Sequence, residues 1–114
     1  MEPAARNAAI ETVHADSLKE TIRRIVEVAD PERIILFGSA ARGDGTPDSD
    51  LDLMVVKSGA NRRRLAQAIY EKLIGVGRAV DIIVVTPEDL DRYGASSALV
   101  IHVALREGKV VYAA

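Results

Sequence analysis

The sequence predicts an α/β (α+β) domain, a small mixed β-sheet flanked by helices. Three observations carry this. Short apolar runs rich in Val, Ile and Leu recur at 34–37, 50–56 and 79–85. Segments with apolar residues at helical spacing lie between and beside them. Gly, Pro, Asp and Ser punctuate the joints. Strands alternating with helices define the class.

Residues 1–16 are Ala-rich and form a candidate N-terminal helical extension. Ser17 and Glu20 then have capping-box spacing, and Leu18, Ile22, Ile25, Val26 and Ala29 repeat at helical intervals, which predicts a helix starting there. Asp30-Pro31 stops it, since a residue before proline disfavours the helical region. The run 34–37 reads as a buried strand, ended by Gly38-Ser39 and followed by turn formers over 43–49. A second strand covers 50–56. A helix over 61–73 places Leu65, Ile69 and Leu73 on one face before Gly75 and Gly77 break it, and a third strand covers 79–85. Thr86-Pro87-Glu88-Asp89 is a helix start, with a capping Thr, Pro at the first position and acids in the first turn. That short helix ends near Tyr93-Gly94. Ser96 or Ser97 opens a last helix that Gly108 stops, and 109–112 make a final strand.

The 114 residues suit one domain spanning 1–114. Nearly half are apolar but only four are aromatic, so the core must be aliphatic. A net charge of −2 argues against a nucleic-acid footprint, which needs a clearly basic surface, yet leaves room for small phosphorylated ligands. The absence of Cys excludes disulfides and thiolate metal sites. With neither a secretory signal nor a membrane-length apolar run, the expectation is a soluble, cytoplasmic protein without a membrane partner.

Chemistry is concentrated in two stretches. Side chains alternate along a strand, so Asp50 and Asp52 point one way while Leu51, Leu53 and Val55 point toward the core. Two close carboxylates repel unless a cation or a shared proton relieves them, and Mg²⁺ favours one or two carboxylates plus phosphate oxygens. Two solvated acids on an amphipathic strand is the competing reading. Upstream, Gly38 permits close backbone approach to a ligand, the Ser39 hydroxyl can donate to a phosphate, and Arg42 lies within one turn to neutralise charge. An ordinary strand-to-helix turn would look similar. Asp81, in an apolar strand where an acid is costly unless paired or on an exposed face, joins the pair if its strand lies beside 50–56.

Taken in order, Gly38-Ser39, Arg42-Gly43, Ser49-Asp50-x-Asp52-Leu53 and Asp81 resemble the DNA polymerase beta-like nucleotidyltransferase superfamily. The size and the tail Arg106-Glu107-Gly108-Lys109-Val110-Val111-Tyr112 resemble its minimal nucleotidyltransferases, the antitoxins of HEPN–MNT toxin–antitoxin pairs. The resemblance implies the polymerase beta-like nucleotidyltransferase fold. It also implies that Gly38, Ser39 and Arg42 hold the triphosphate of ATP, that Asp50, Asp52 and Asp81 bind two Mg²⁺ ions, and that Asp81 helps deprotonate the acceptor. The implied acceptor is a hydroxyl of a HEPN-domain partner, a tyrosine, which receives AMP. A binding-only antitoxin with a relic site, and a transferase acting on a small molecule, are the alternatives.

Other features favour plainer roles. Arg62-Arg63-Arg64 reads as a solvated helix face; His14 and His102 lack neighbouring ligand types; Gly75-Val76-Gly77 follows a helix and so is not a dinucleotide fingerprint. Tyr93 could stack on a base or fill the core. Over 98–105 almost every residue is apolar, so the last helix is either sandwiched in the core or meets a partner, including a second copy in a homo-oligomer.

Overall fold

In the computed structural model, which describes residues 3–43, 50–93 and 100–114, the first helix, α1 (Pro3–Ala29), is a single element. The helix start expected at Ser17 and Glu20 is therefore not formed. The Ala-rich segment before it is strong helix former and carries the helix straight through. Ser17 sits mid-helix, where its carbonyl accepts from the buried Thr21 hydroxyl (2.7 Å) and its own hydroxyl from Arg78 (3.1 Å). Glu20 instead accepts from Arg23 and Arg24 one turn on. Asp30 does end the helix: it adopts φ 45°, and its N–H closes a last turn to the Val26 carbonyl. Pro31 bars further propagation.

Four strands follow: β1 (Arg33–Phe37), β2 (Leu51–Val56), β3 (Val80–Val85) and β4 (Lys109–Ala113), in spatial order β3-β2-β1-β4. β1 runs antiparallel to β2 and β4, whereas β2 and β3 are parallel, so the sheet is mixed as expected. The parallel step needs a crossover, supplied by α3 (Arg62–Lys72). Asn61 caps that helix by accepting from Arg64 N–H, and Ile69 and Leu73 are buried on its inner face. At its other end the Arg24 guanidinium donates to the carbonyls of Ile74 (2.9 Å) and Lys72 (3.4 Å), tying α3 to α1. Gly75 and Gly77 both take positive φ, 88° and 81°, in the turn leading to β3.

Both faces of the sheet are covered. Ile34, Leu36, Leu51, Leu53, Val55, Ile82 and Val84 pack under α1 and α3. Ile35, Phe37, Met54, Val56 and Val85 pack on the other side against Ile101 and Ala104 of α5 (Val100–Glu107) and Leu90 of α4 (Pro87–Tyr93). The strand bearing Asp52 is thus not half-solvated: beyond Asp52, Met54 and Val56 belong to a second core. The α4 start matches its signature, a reciprocal box in which Asp89 N–H donates to Thr86 Oγ1 (3.1 Å) and Thr86 N–H to Asp89 Oδ2 (3.0 Å). The expected opening of α5 at Ser96 or Ser97 lies outside the described residues, as does the Tyr93 side chain. α5 divides its faces, with Ile101 and Ala104 buried and Val103 and Leu105 exposed. No helix among the described residues is long and apolar enough to cross a membrane.

Candidate active site

The site is built where β1, β2 and β3 meet on the α5 side of the sheet. In β2 the alternation that buries Leu51 and Leu53 turns Asp52 to the opposite face. Parallel pairing sets Asp52 directly beside Asp81, and antiparallel pairing sets it opposite Phe37, the last residue of β1. Apolar flanks on both neighbours fix this register, because a one-residue slip would turn each strand's apolar set over.

Gly38 follows Phe37 at φ 74° and opens the short helix α2 (Gly38–Arg42). A Cβ at position 38 would run into Asp52 Oδ2 and stand 3.1 Å from its Cγ. Only glycine lets the backbone turn this close to the carboxylate. Phe37 occupies the N-cap position and offers no side-chain cap, so Ser39 is inside the turn rather than capping it. Gly43 closes α2 in the left-handed region, donating to the Ser39 carbonyl. The Arg42 guanidinium meets Glu107 at the end of α5 (3.5 Å). Asp50 is exposed immediately before β2; Asp48 and Ser49 lie outside the described residues.

Electrostatics single out Asp52. Burial, then the charges of Asp81 and Asp50 and a hydrogen bond with Asp81, push its carboxyl above the usual range, while Arg42 pulls the other way. Their like charges repel, and a cation held between them would relieve that repulsion. Among the described residues no three acidic or histidine side chains form a ready-made metal cage. The donor set nonetheless fits Mg²⁺, which characteristically takes one or two carboxylates and completes its shell with water and phosphate oxygens.

The structure thus brings Gly38, Asp52 and Asp81 together, with Asp50 and Arg42 within electrostatic reach of Asp52. Ser39 is half-buried one residue beyond Gly38. Glu107 is the addition that pattern reading did not make. Its partner lies 65 residues away, and nothing local marks the contact. Arg62 pairs with Asp89 (2.8 Å) and Arg63 and Arg64 are exposed, as a solvated helix face requires. A cavity lined by Ala29, Ala60, Leu65 and Ala68 adjoins the far end of β2 and contains no carboxylate.

The sequence model of the nucleotidyltransferase domain matches residues 16–111, so the chain belongs to that family. No curated protein sequence matches it. Seven chains of solved structures do. One is a putative nucleotidyltransferase from Sulfolobus solfataricus, 22% identical with a TM-score of 0.58, covering 99% of this chain and 90% of its own. Another is a toxin-antitoxin with AMP-PNP, 21% identical with a TM-score of 0.54, covering 83% of this chain and 73% of its own. A third is spectinomycin adenyltransferase from Enterococcus faecialis with ATP and spectinomycin, 18% identical with a TM-score of 0.59. It covers 87% of this chain, which spans only 54% of that one. At these identities the likeness is one of fold.

Proposed function

We propose that the protein is a Mg²⁺-dependent nucleotidyltransferase that moves AMP from ATP onto a hydroxyl of a partner protein, a tyrosine of a HEPN-domain toxin, and thereby acts as an antitoxin. The observation that carries this reading is the meeting of Asp52, Asp81 and the Cβ-free Gly38 backbone at one point of the sheet. A half-buried Asp52 beside an exposed Asp81 has little structural use on a sheet face whose neighbouring positions are apolar.

In this reading Gly38 and Ser39 hold the triphosphate and Arg42 balances its charge, while Asp50, Asp52 and Asp81 would hold two Mg²⁺ ions. Bound there, the ions would supply positive charge to the attacking and leaving oxygens of an in-line displacement. The acceptor oxygen bonds to the α-phosphorus, the bond from that phosphorus to the bridging oxygen breaks, and pyrophosphate leaves. Asp81 takes up the hydroxyl proton. The fold shared with a toxin-antitoxin bearing AMP-PNP supports a protein acceptor. The fold shared with spectinomycin adenyltransferase supports a small-molecule hydroxyl as the second reading.

The test is co-expression with the HEPN-domain protein and intact-mass measurement. The partner should gain AMP, and Asp52→Ala or Asp81→Ala should prevent the gain while circular dichroism shows the fold retained. Full transfer by either variant overturns the mechanism. Neutralisation of the toxin with no mass change would instead establish a binding-only antitoxin.

A further inference from the structure

The sheet holds its two facing acids unequally. Asp52 lies in β2, which is paired on both sides, with β1 and with β3. Asp81 lies in β3, at the sheet's edge, and is only the second residue of its strand. The end of an edge strand is where a sheet opens most readily. Alternate residues of β3 bond to β2: the carbonyls of Ala79 and Val85 accept from Leu51 and Lys57 N–H. Asp81 and Ile83, in step between them, also turn toward β2, and Ile82 turns outward. On that open side Ile82 N–H donates to the Tyr70 hydroxyl (2.9 Å). Tyr70 belongs to α3, where its neighbour Ile69 is fully buried. The Tyr70 side chain is 44% exposed, and a phenylalanine would place the same ring there, so the hydroxyl adds this one bond at the edge.

We propose that Tyr70 is a positioning residue, which clasps the peptide unit between Asp81 and Ile82 from the open side of the sheet and so keeps the Asp81 carboxylate beside Asp52 for a divalent cation. The inference rests on the nucleotidyltransferase reading of the site. The Asp81 carbonyl and the Ile82 N–H share one rigid plane. That plane is held at both ends, by β2 through the carbonyl and by Tyr70 through the N–H. Without the hydroxyl, the backbone of Asp81 would be restrained from the β2 side alone. Mg²⁺ demands near-ideal octahedral geometry, so a carboxylate that moves with a fraying edge binds it less well. A misplacement of about 1 Å at a reacting centre can cost roughly a hundredfold in rate. One neutral bond at an exposed edge is a small part of global stability, so its loss should be felt locally.

The test is titration of the metal-free protein with MnCl₂, followed by electron paramagnetic resonance, together with amide hydrogen exchange and thermal unfolding. The proteins are wild type, Tyr70→Phe, Asp81→Asn, the Tyr70→Phe/Asp81→Asn double variant and Asn61→Ala. Tyr70→Phe should raise the Mn²⁺ Kd roughly three- to tenfold, the worth of one neutral hydrogen bond, and speed exchange of the Asp81 and Ile83 amides by a similar factor. Exchange in β1 should not change. In the Asp81→Asn background the Tyr70 substitution should weaken Mn²⁺ binding no further. Asn61→Ala removes the cap at the opposite end of α3, so it should lower the Tm yet leave Mn²⁺ affinity at the wild-type value. Wild-type affinity in Tyr70→Phe, an equal further loss in the Asp81→Asn background, or the same loss in Asn61→Ala would overturn the positioning role while leaving the metal site in place. Global unfolding of Tyr70→Phe would overturn it too, by showing that the hydroxyl serves the whole fold. Absence of Mn²⁺ binding in all five proteins would overturn the nucleotidyltransferase reading and this proposal together.

Discussion

Gly38 and Asp52 occupy one another's space, and each can be tested through the other. In Gly38→Ala the new methyl meets the Asp52 carboxylate and is held at a φ of 74° that L-residues rarely adopt. The expected cost is about 1–2 kcal/mol of stability with loss of transfer, seen as a lowered urea midpoint. Asp52→Asn should act in the opposite sense on stability. Burial and the neighbouring Asp81 and Asp50 make the fold hold Asp52's proton more tightly than the unfolded chain does. A raised carboxylate pKa favours the fold at low pH, and the penalty grows as pH rises from the unfolded value through the folded one. Metal-free Asp52→Asn should therefore melt higher than wild type at pH 7–8, by less than about 1 kcal/mol because solvent screens much of the repulsion. That gain should shrink toward pH 4, and transfer should be lost at every pH. A variant melting below wild type at neutral pH would contradict the cause assigned to the shift.

Among the elements, α1 and α3 are tied together by several side-chain bonds. Arg24 supplies carbonyl caps to the end of α3, Lys72 reaches Glu27 (2.6 Å), and Glu20 binds both Arg23 and Arg24. Arg24→Met, which keeps the aliphatic stem, should cost about 1–2 kcal/mol by leaving two carbonyls without their donor, measured by chemical denaturation. Glu20 is held down at about 2, so its ion pairs contribute above the ordinary carboxylate value and are lost only as pH falls through that figure. Most elements were legible from the sequence because their signals are local: the strand alternation of Leu51, Asp52 and Leu53, the Thr86–Asp89 box, the stop at Asp30-Pro31. Ser17 misled for the same reason. Its capping pattern was real, but the alanines before it already sustained a helix. The carboxylate pair was legible as far as faces went. Adjacency of Asp52 and Asp81 was not, because register depends on which strands are neighbours.

For the whole molecule, the second core under α5 and the Arg42–Glu107 contact were the least legible features, since both join the last third of the chain to its first half. Ile101 and Ala104 are ordinary apolar residues until the sheet gives them Met54 and Phe37 to cover. The site is correspondingly a property of the complete fold, and ligands should report on it globally. MgATP at about one hundred times its Kd should add about 2.7 kcal/mol, read as a rise in Tm that EDTA abolishes. A Tm indifferent to MgATP would speak against a nucleotide site of any kind.

The strand order has a further meaning in time. β1 emerges early in synthesis, but it lies inside the sheet between β2 and β4, and β4 is the last strand in the sequence. Until β4 has been made, Ile34–Ile35–Leu36–Phe37 must therefore present one unpaired edge, an adhesive surface for any other extended chain. Removing residues 109–114 would make that interval permanent, and the truncated protein should sediment as aggregates where the full chain does not. The last partner of β1 and the residue that reaches Arg42 are supplied by one short stretch, residues 107–113.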